Sequence, residues 1–317
     1  MAWLLAPLAL LIERLVGYPP TLFRLIGHPV TWIGSLIGWF EARLNSGSHR
    51  RLKGAVMLAL LLLTVVACGL LIVAVTRRLP FSFVLEAILS STLLAQKELG
   101  RAVKAVADGL GVSLGAGREA VSHIVGRDPA TLDEPGVARA AVESLAESTS
   151  DGIVAPLFWL FIGGLPGILL YKAANTADSM VGHRNERYRE FGWASAKLDD
   201  LVNWIPARLS VLLIAIAAIF VRRADGRQAI TTALRDARKH DSPNAGWPEA
   251  AYAGALHLSL GGPRSYDGEV HDLPVFGDGR AALTPSDILK ALEFYWTSLN
   301  LLLALSIGLA LILWQFA

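Results

Sequence analysis

Two stretches of the chain run long enough to cross a bilayer without a single charge. Ala55 to Val75 and Thr297 to Ala317 are each 21 residues of largely apolar sequence. At about 1.5 Å per helical residue, each spans the roughly 30 Å of a hydrocarbon core. Weaker apolar runs lie at Leu25–Phe40, Phe81–Gln96 (interrupted by Glu86), Ile153–Tyr171 and Leu209–Val221. Met1–Ile12 is apolar too, but it lacks a basic leader and a small-residue cleavage site, so it reads as a retained membrane segment. The pattern predicts an all-α, polytopic membrane protein. The centre of the fifth run, Gly163-Gly164-Leu-Pro166-Gly167, is a poor helix interior. It predicts a broken or re-entrant pair of short helices, backbone that membrane depth tolerates where it lines a cavity.

The charges are segregated from these runs. Residues 97–152, 172–203 and 222–296 hold 44 of the 56 charged residues. An anchor or a simple channel does not need polar blocks of that size, so the chain reads as one membrane-embedded domain, 1–317, with large polar interfacial loops. Arg43, Arg50, Arg51 and Lys53 favour a cytoplasmic loop before the first long span, and Arg77 and Arg78 at its other end blunt the bias.

Composition agrees. Apolar residues make up 53% of the chain and charged residues 18%, which excludes disorder and an ordinary water-soluble enzyme. The balance of 29 basic against 27 acidic residues gives +2, so bulk charge points to no nucleic acid or other polyanion. The one cysteine, Cys68, excludes an intrachain disulfide framework and a Cys-based zinc site. There is no Gly-Lys pair and hence no Walker-type phosphate loop, and Gly109-Leu-Gly111-Val-Ser-Leu-Gly115 misses the dinucleotide fingerprint by one residue. His28, in Gly27-His-Pro29, reads as a turn residue that interrupts a helix.

Each polar block carries candidate chemistry. Arg139, Glu143, Glu147 and Asp151 are spaced by four and share one helical stripe, drifting about 40° per step. Three carboxylates there suit a divalent cation with hard oxygen ligands; the same spacing also describes a solvated face with i,i+4 ion pairs. In the second block Lys172, Asn175, Asp178, Gly182, Asn185 and Arg189 form a polar stripe, with Gly182 as a gap where a ligand could approach the backbone. Arg184 and Arg187 are fork donors suited to phosphate or carboxylate. Asp199 and Asn203, and Asp200, Trp204 and Arg208, repeat at four, and Pro206 requires a helix to bend or begin nearby. Arg208 enters an apolar run, where an arginine is a functional candidate. The third block offers His240-Asp-Ser242-Pro-Asn244-Ala-Gly-Trp247-Pro-Glu249, a loop with oxyanion donors, and the turn-rich Gly261–Gly268.

Taken together the blocks resemble the cobalamin-biosynthesis CobD/CbiB family, adenosylcobinamide-phosphate synthase. The phrases that carry the resemblance run in order: His28-Pro-Val, Gly126-Arg-Asp128, Leu132-Asp-Glu134, Ala140-Ala-Val-Glu-Ser144, Thr149-Ser-Asp-Gly-Ile-Val-Ala-Pro-Leu-Phe-Trp159, Asn175-Thr-Ala-Asp-Ser-Met-Val-Gly182, Arg184-Asn-Glu-Arg-Tyr188, Phe191-Gly-Trp-Ala-Ser195, Leu198-Asp-Asp200, Asn203-Trp-Ile-Pro-Ala-Arg208 and Ser242-Pro-Asn-Ala-Gly-Trp-Pro-Glu-Ala250. There are two departures. The family's Gly-Asp-Pro is Gly17-Tyr18-Pro19 here, and the family's Glu-Asn-Thr-Ser-Asp-Gly is Glu147-Ser148-Thr-Ser-Asp-Gly152.

The resemblance implies an ATP-dependent amide synthase that joins adenosylcobyric acid to (R)-1-amino-2-propanol phosphate or the free amino alcohol. Magnesium would be its cofactor, and it would sit in the cell membrane with its site facing the cytoplasm. A homo-oligomer, or contact with other late cobalamin-pathway enzymes, fits the same picture. On the matched positions, Glu143, Glu147 and Asp151 would hold Mg²⁺ on the nucleotide. Arg184, Arg187 and Arg208 would neutralise phosphate and acyl-phosphate charge, and Asp178 or Asp199 would take the amine's proton. Asn175, Asp200, Asn203, Ser242 and Asn244 would bind and orient substrates. A secondary transporter also expects broken helices and buried charges, but it does not need the 75-residue polar block 222–296. A membrane transferase of the CDP-alcohol class expects an acidic spacing that Asp199-Asp200…Ala207-Arg208 does not match.

Overall fold

The computed structural model describes residues 4–126, 128–262, 264–266, 269–271 and 273–315. Arg127 of the Gly126–Asp128 phrase, and Pro263, Asp267 and Gly268 of the second turn-rich element, lie outside the described residues. The elements run α1 (Leu5–Val16), α2 (Pro20–Ile26), α3 (Pro29–Leu44), α4 (Arg50–Thr76), α5 (Ser82–Ser91), α6 (Gln96–Val112), α7 (Leu114–Ser122) and α8 (Glu134–Thr149). A π-turn (Ser150–Val154) leads to α9 (Ala155–Val181), α10 (Trp193–Val202), α11 (Trp204–Ala217), α12 (Gly226–Asp236) and α13 (Gly246–Leu256). Strands β1 (Leu260–Gly261), β2 (Arg264–Tyr266), β3 (Glu269–His271) and β4 (Val275–Phe276) precede α14 (Pro285–Gln315). The all-α expectation holds; the strands form only two short antiparallel pairs, β1 with β4 and β2 with β3.

Three helical stretches are long and apolar enough to span a membrane: Arg50–Thr76, Glu134–Val181 and Pro285–Gln315. The bent pair Trp193–Val202 and Trp204–Phe220 makes a fourth if it is one span. Only 28% of the apolar window of α4 is buried, and Leu63, Leu70 and Leu71 point outward, as a lipid-facing helix requires. The first 21-residue run and residues 297–315 of the second therefore sit in helices of spanning length; Phe316 and Ala317 lie outside the described residues. The weaker runs at 25–40 and 81–96 do not: α3 has 16 residues and α5 only 10. Within α5, Glu86 is buried and accepts a hydrogen bond from Thr76 Oγ1 at 3.2 Å.

Packing divides the chain into two compact units, each assembled from discontinuous segments. One comprises residues 1–95, 155–203 and 306–317; the other comprises 96–154 and 204–305.

The core of the first unit is Ile33, Ile37, Met57, Leu61, Val65, Ala173, Ala177, Val181 and Phe191, drawn from α3, α4, α9 and the turn after α9. Gly54 allows one close approach, because a Cβ there would lie 1.8 Å from the Phe191 carbonyl oxygen. The predicted break in the fifth run is real. Gly164 has φ 59° and ψ −150°, a conformation open in practice only to glycine. Across it a Cβ on Gly167 would lie 2.3 Å from the Trp159 carbonyl oxygen. In a straight helix residues eight apart are about 12 Å apart along the axis, so the chain folds back on itself here.

In the second unit α13 is the central helix: nine of its residues are buried, and it packs on α8, α11 and α12. Gly254 permits the close approach to α12, whose Gln228 carbonyl oxygen would be 2.3 Å from a Cβ. The glycines at 109 and 117 serve helix packing as well, since they let α7 fold tightly back on α6. Pro206 falls in the first turn of α11, just after the break at Asn203, where its missing N–H costs nothing.

Candidate functional site

The candidate residues divide between the two units. In the first, α9 and α10 bring together Asn175, Asp178, Asp199, Asp200 and Asn203. Asn175 Nδ2 donates to Asp199 Oδ1 at 3.2 Å, and Tyr171 Oη donates to Asn203 Oδ1 at 2.9 Å inside the fold. Trp159 Nε1 holds the end of α10 through the Val202 carbonyl at 3.0 Å. Burial acts first on both Asp178 and Asp199; Asp178 then feels the charge of Asp200, and Asp199 those of Asp178 and Asp200, while Asp200 pairs with the exposed Lys197 at 3.2 Å. The spacing by three and four on each helix is what turns these groups to one side.

The glycine gap at 182 is already filled: the Asp178 carboxylate lies where a Cβ of Gly182 would sit. The glycine makes room for this chain's own acid rather than for a ligand.

The two arginines of the following turn part company. Arg187 forks onto Glu41, with Nη2 at 3.1 Å from both carboxylate oxygens and Nε at 3.2 Å from Oε1. Its guanidinium is thus committed to an ion pair that ties the turn to α3, although its side chain remains 64% exposed. Arg184 is exposed.

His28 plays the turn role expected of it. Its Nδ1 accepts the Val30 N–H at 3.2 Å, which caps α3. Burial, and then the charge of Lys172, push its imidazole below the ordinary value, while a hydrogen bond to the Thr92 backbone works the other way. Tyr18 packs its ring against His28 at 4.5 Å and donates to the Gly27 carbonyl at 2.6 Å.

In the second unit the acidic stripe does not act as one group. Glu143 is 5% exposed, and its Oε1 accepts the Gly261 N–H at 2.6 Å. Arg139 Nη2 reaches the Ala281 carbonyl at 2.9 Å, so this part of the stripe clamps the backbone around β1. Glu147 is exposed, and Asp151 sits half-buried on the π-turn. The wider turn interrupts the four-residue register, a feature frequent at functional sites. Among the described residues, no three His, Cys, Asp or Glu side chains are grouped to hold a metal ion. A nucleotide-bound Mg²⁺ needs fewer, because phosphate oxygens and water complete its shell around one or two carboxylates. Glu147 lies on the last turn of α8 and Asp151 on the π-turn four residues on.

Arg208 and Asn244 meet: Nη1 donates to Asn244 Oδ1 at 2.7 Å, and Nη2 to the Pro243 carbonyl at 3.2 Å. The guanidinium lies between the rings of Trp204 and Trp247, 4.7 and 4.6 Å from their centroids. Ser242 Oγ accepts the N–H groups of Asn244 and Ala245, and so caps the turn into α13. These three residues first of all build the loop.

Sequence reasoning passed over Asp236. It is 1% exposed and holds Arg235 and Lys239, each at 2.6 Å, and the Gly277 N–H at 2.9 Å. Burial alone would raise its pKa, but these donors more than offset it and hold the carboxyl well below the usual range. Its only trace in the sequence is the flanking pair of cations.

The CobD/CbiB protein family model matches residues 6–295. The chain belongs to the CobD/CbiB family. The Cobalamin biosynthesis protein CobD of Sinorhizobium sp is 49% identical over 317 residues, covering 98% of each chain. That of Rhodobacter capsulatus is 49% identical and that of Brucella suis biovar 1 is 47% identical, each covering 96% of both chains. No solved structure matches this chain. For a CobD/CbiB protein, the arrangement of α9 and α10 puts carboxylates beside carboxamides, and the π-turn carries a half-buried acid.

Proposed function

We propose that this cobalamin-biosynthesis protein is an ATP-dependent amide synthase. It joins a propionate carboxylate of adenosylcobyric acid to (R)-1-amino-2-propanol phosphate or to the free amino alcohol. Family membership over nearly the whole chain supports this reading, and the carboxylate–carboxamide cluster of α9 and α10 is the observation that carries its chemistry.

Amide formation from a carboxylate needs an activated acyl group. Transfer of the ATP γ-phosphoryl group to the propionate gives an acyl phosphate and ADP. The amine attacks the acyl carbon, phosphate leaves with the C–O electron pair, and the nitrogen sheds a proton. Asp199 or Asp178 accepts that proton, and the Asn175 carboxamide holds Asp199 in place. Asp200 and Asn203 line the same cluster and orient the amine. Glu147 and Asp151 would hold Mg²⁺ on the nucleotide, where it would supply charge neutralisation to the phosphates. Glu143, committed to the Gly261 N–H, contributes by fixing the backbone behind that helix. Arg184 answers phosphate charge. Arg187, Arg208, Ser242 and Asn244 shape the polar segments, through Glu41 in the first case and through the loop before α13 in the others.

ATP is cytoplasmic, which places the reacting groups on the cytoplasmic side of a multi-pass cell-membrane protein. Self-association, or contact with neighbouring enzymes of the pathway, is part of the same proposal. The test is incubation of the protein in detergent with adenosylcobyric acid, ATP, Mg²⁺ and each amino alcohol, followed by mass analysis of the corrinoid. A product heavier by the amine less one water, formed only with ATP, supports the reading. Solute uptake into vesicles with no ATP-linked product would replace it with transport.

A further inference from the structure

At one end of the first unit, the C-terminal turn of α3, the N-terminal turn of α4 and the turn 182–190 meet. Glu41, Asn45, Arg50 and Arg187 bind one another there: Asn45 Nδ2 donates to Glu41 Oε1 at 2.9 Å, Arg50 Nε donates to Asn45 Oδ1 at 2.8 Å, and both Asn45 and Arg50 donate to the Arg187 carbonyl. A surface hollow of about 600 Å³ opens between Asn45, Arg50, Asn185 and Arg187. This end carries seven cations, Arg43, Arg50, Arg51, Lys53, Arg184, Arg187 and Arg189, against the carboxylates Glu41, Glu186 and Glu190. Only Arg187 is paired with an acid among the described residues.

Two of the other guanidinium groups lie over half-exposed indoles. Arg43 is 3.9 Å from the Trp39 ring centre, and Arg51 is 3.8 Å from that of Trp193. Arg43 also donates Nη1 to the Trp39 carbonyl at 3.0 Å; both arginines are exposed, and a guanidinium on an aromatic face keeps its charge and its remaining N–H groups for an anionic acceptor. Immediately beyond the cations, α4 turns apolar side chains outward at Leu52, Val56, Leu60 and Leu63. Tryptophan and arginine directly above an outward apolar surface are the residue types that favour the headgroup layer of a bilayer.

We infer that this Trp–Arg collar at the start of α4 binds the headgroups of anionic phospholipids, so that the protein selects acidic lipid at that leaflet. Charge complementarity and direct continuity with a spanning helix point to lipid rather than to a soluble phosphate. The inference is independent of the reaction proposed above.

The test uses the full chain, purified in detergent and returned to nanodiscs of equal phosphatidylglycerol and phosphatidylcholine, with the retained lipid counted by native mass spectrometry. The wild type retains phosphatidylglycerol preferentially. The Arg43→Gln/Arg51→Gln variant loses roughly fivefold in preference per charge removed, about twenty-five-fold in all, while the Arg77→Gln/Arg78→Gln variant at the far end of α4 keeps it. In the wild type the preference also falls as NaCl rises, a readout that does not depend on how either variant folds. Equal retention of the two lipids by the wild type overturns the proposal, as does a preference indifferent to salt. So does displacement of phosphatidylglycerol by inorganic phosphate at constant ionic strength, which would mark a site for soluble phosphate.

Discussion

Glu143 separates two roles that its position in the acidic stripe leaves open. Replacement by Gln keeps an acceptor for the Gly261 N–H, now 2.6 Å from Oε1, but removes the charge. A charge-assisted bond is worth about twice a neutral one, so the loss is about 1 kcal/mol. Replacement by Ala removes the bond outright. It also leaves the Gly261 N–H buried without that partner and opens space around a residue only 5% exposed, which brings the cost to about 3–4 kcal/mol. For a unit of this size 1 kcal/mol moves a melting midpoint by roughly 2–4 °C. Gln should therefore lower the midpoint by about 3 °C and Ala by about 10 °C. Unfolding of a membrane protein in detergent is commonly irreversible, so all variants are scanned at one rate by circular dichroism. Product formation is measured in parallel against Mg²⁺ concentration, and Glu143→Gln should keep the wild-type dependence. An Ala variant that melts with the wild type would refute the clamp. A Gln variant that melts normally but demands far more Mg²⁺ would return Glu143 to the metal.

Asp199→Asn preserves the partner of Asn175 but cannot take a proton; turnover should fall about 10²–10⁴-fold with little change in KM for ATP, and a loss confined to KM in steady-state assays would reassign the residue to binding. Asp236 has a pKa depressed below its usual 3.8, so its stabilisation is complete above that value and fades as pH falls toward the folded pKa. Asp236→Asn should flatten the acid limb of the melting profile below about pH 4 and lower the midpoint at pH 7; an unchanged limb would mean that another carboxylate governs it. Gly167→Val drives a side chain into the Trp159 carbonyl and should destabilise the protein by about 1–3 kcal/mol; a melt identical to wild type would mean that the chain does not fold back at Gly164.

Helices, spans and the break were legible in the sequence because each rests on local rules. An uncharged 21-residue run, a Gly-Gly-Leu-Pro-Gly interior and a proline in the first turn of α11 declare themselves without neighbours. The meeting of Asn175, Asp178 and Asp199 was legible only as two separate stripes; that α9 and α10 turn them toward each other depends on packing. Side-chain duties were the least legible. Arg187 as partner of Glu41 is set by a contact 146 residues apart, and Glu143 as partner of Gly261 by one 118 residues apart. Periodicity carries no information about such separations. The filling of the Gly182 gap by Asp178 was hidden for the opposite reason: the two are one helical turn apart, and the spacing alone suits an open gap as well as an occupied one.

The clustering of Asp178, Asp199 and Asp200 is itself an argument about substrate. The charges acting on Asp178 and Asp199 are those of other carboxylates in the cluster, and like charges held together cost stability wherever water is partly excluded. Asn175 and Asn203 ease the charge on Asp199, and Lys197 answers Asp200 from an exposed position; the charges acting on Asp178 and Asp199 include no cation. Apolar or carboxamide side chains at those two positions would pack without that penalty. A cation arriving from outside relieves it, and an amino alcohol at neutral pH is an ammonium ion. The same carboxylates that attract the ammonium are then beside it when its proton must leave, so on the proposed reading recognition and deprotonation fall to one cluster. It follows that an uncharged isostere of the amine should bind less tightly than the amine itself, by a margin that shrinks in Asp178→Asn.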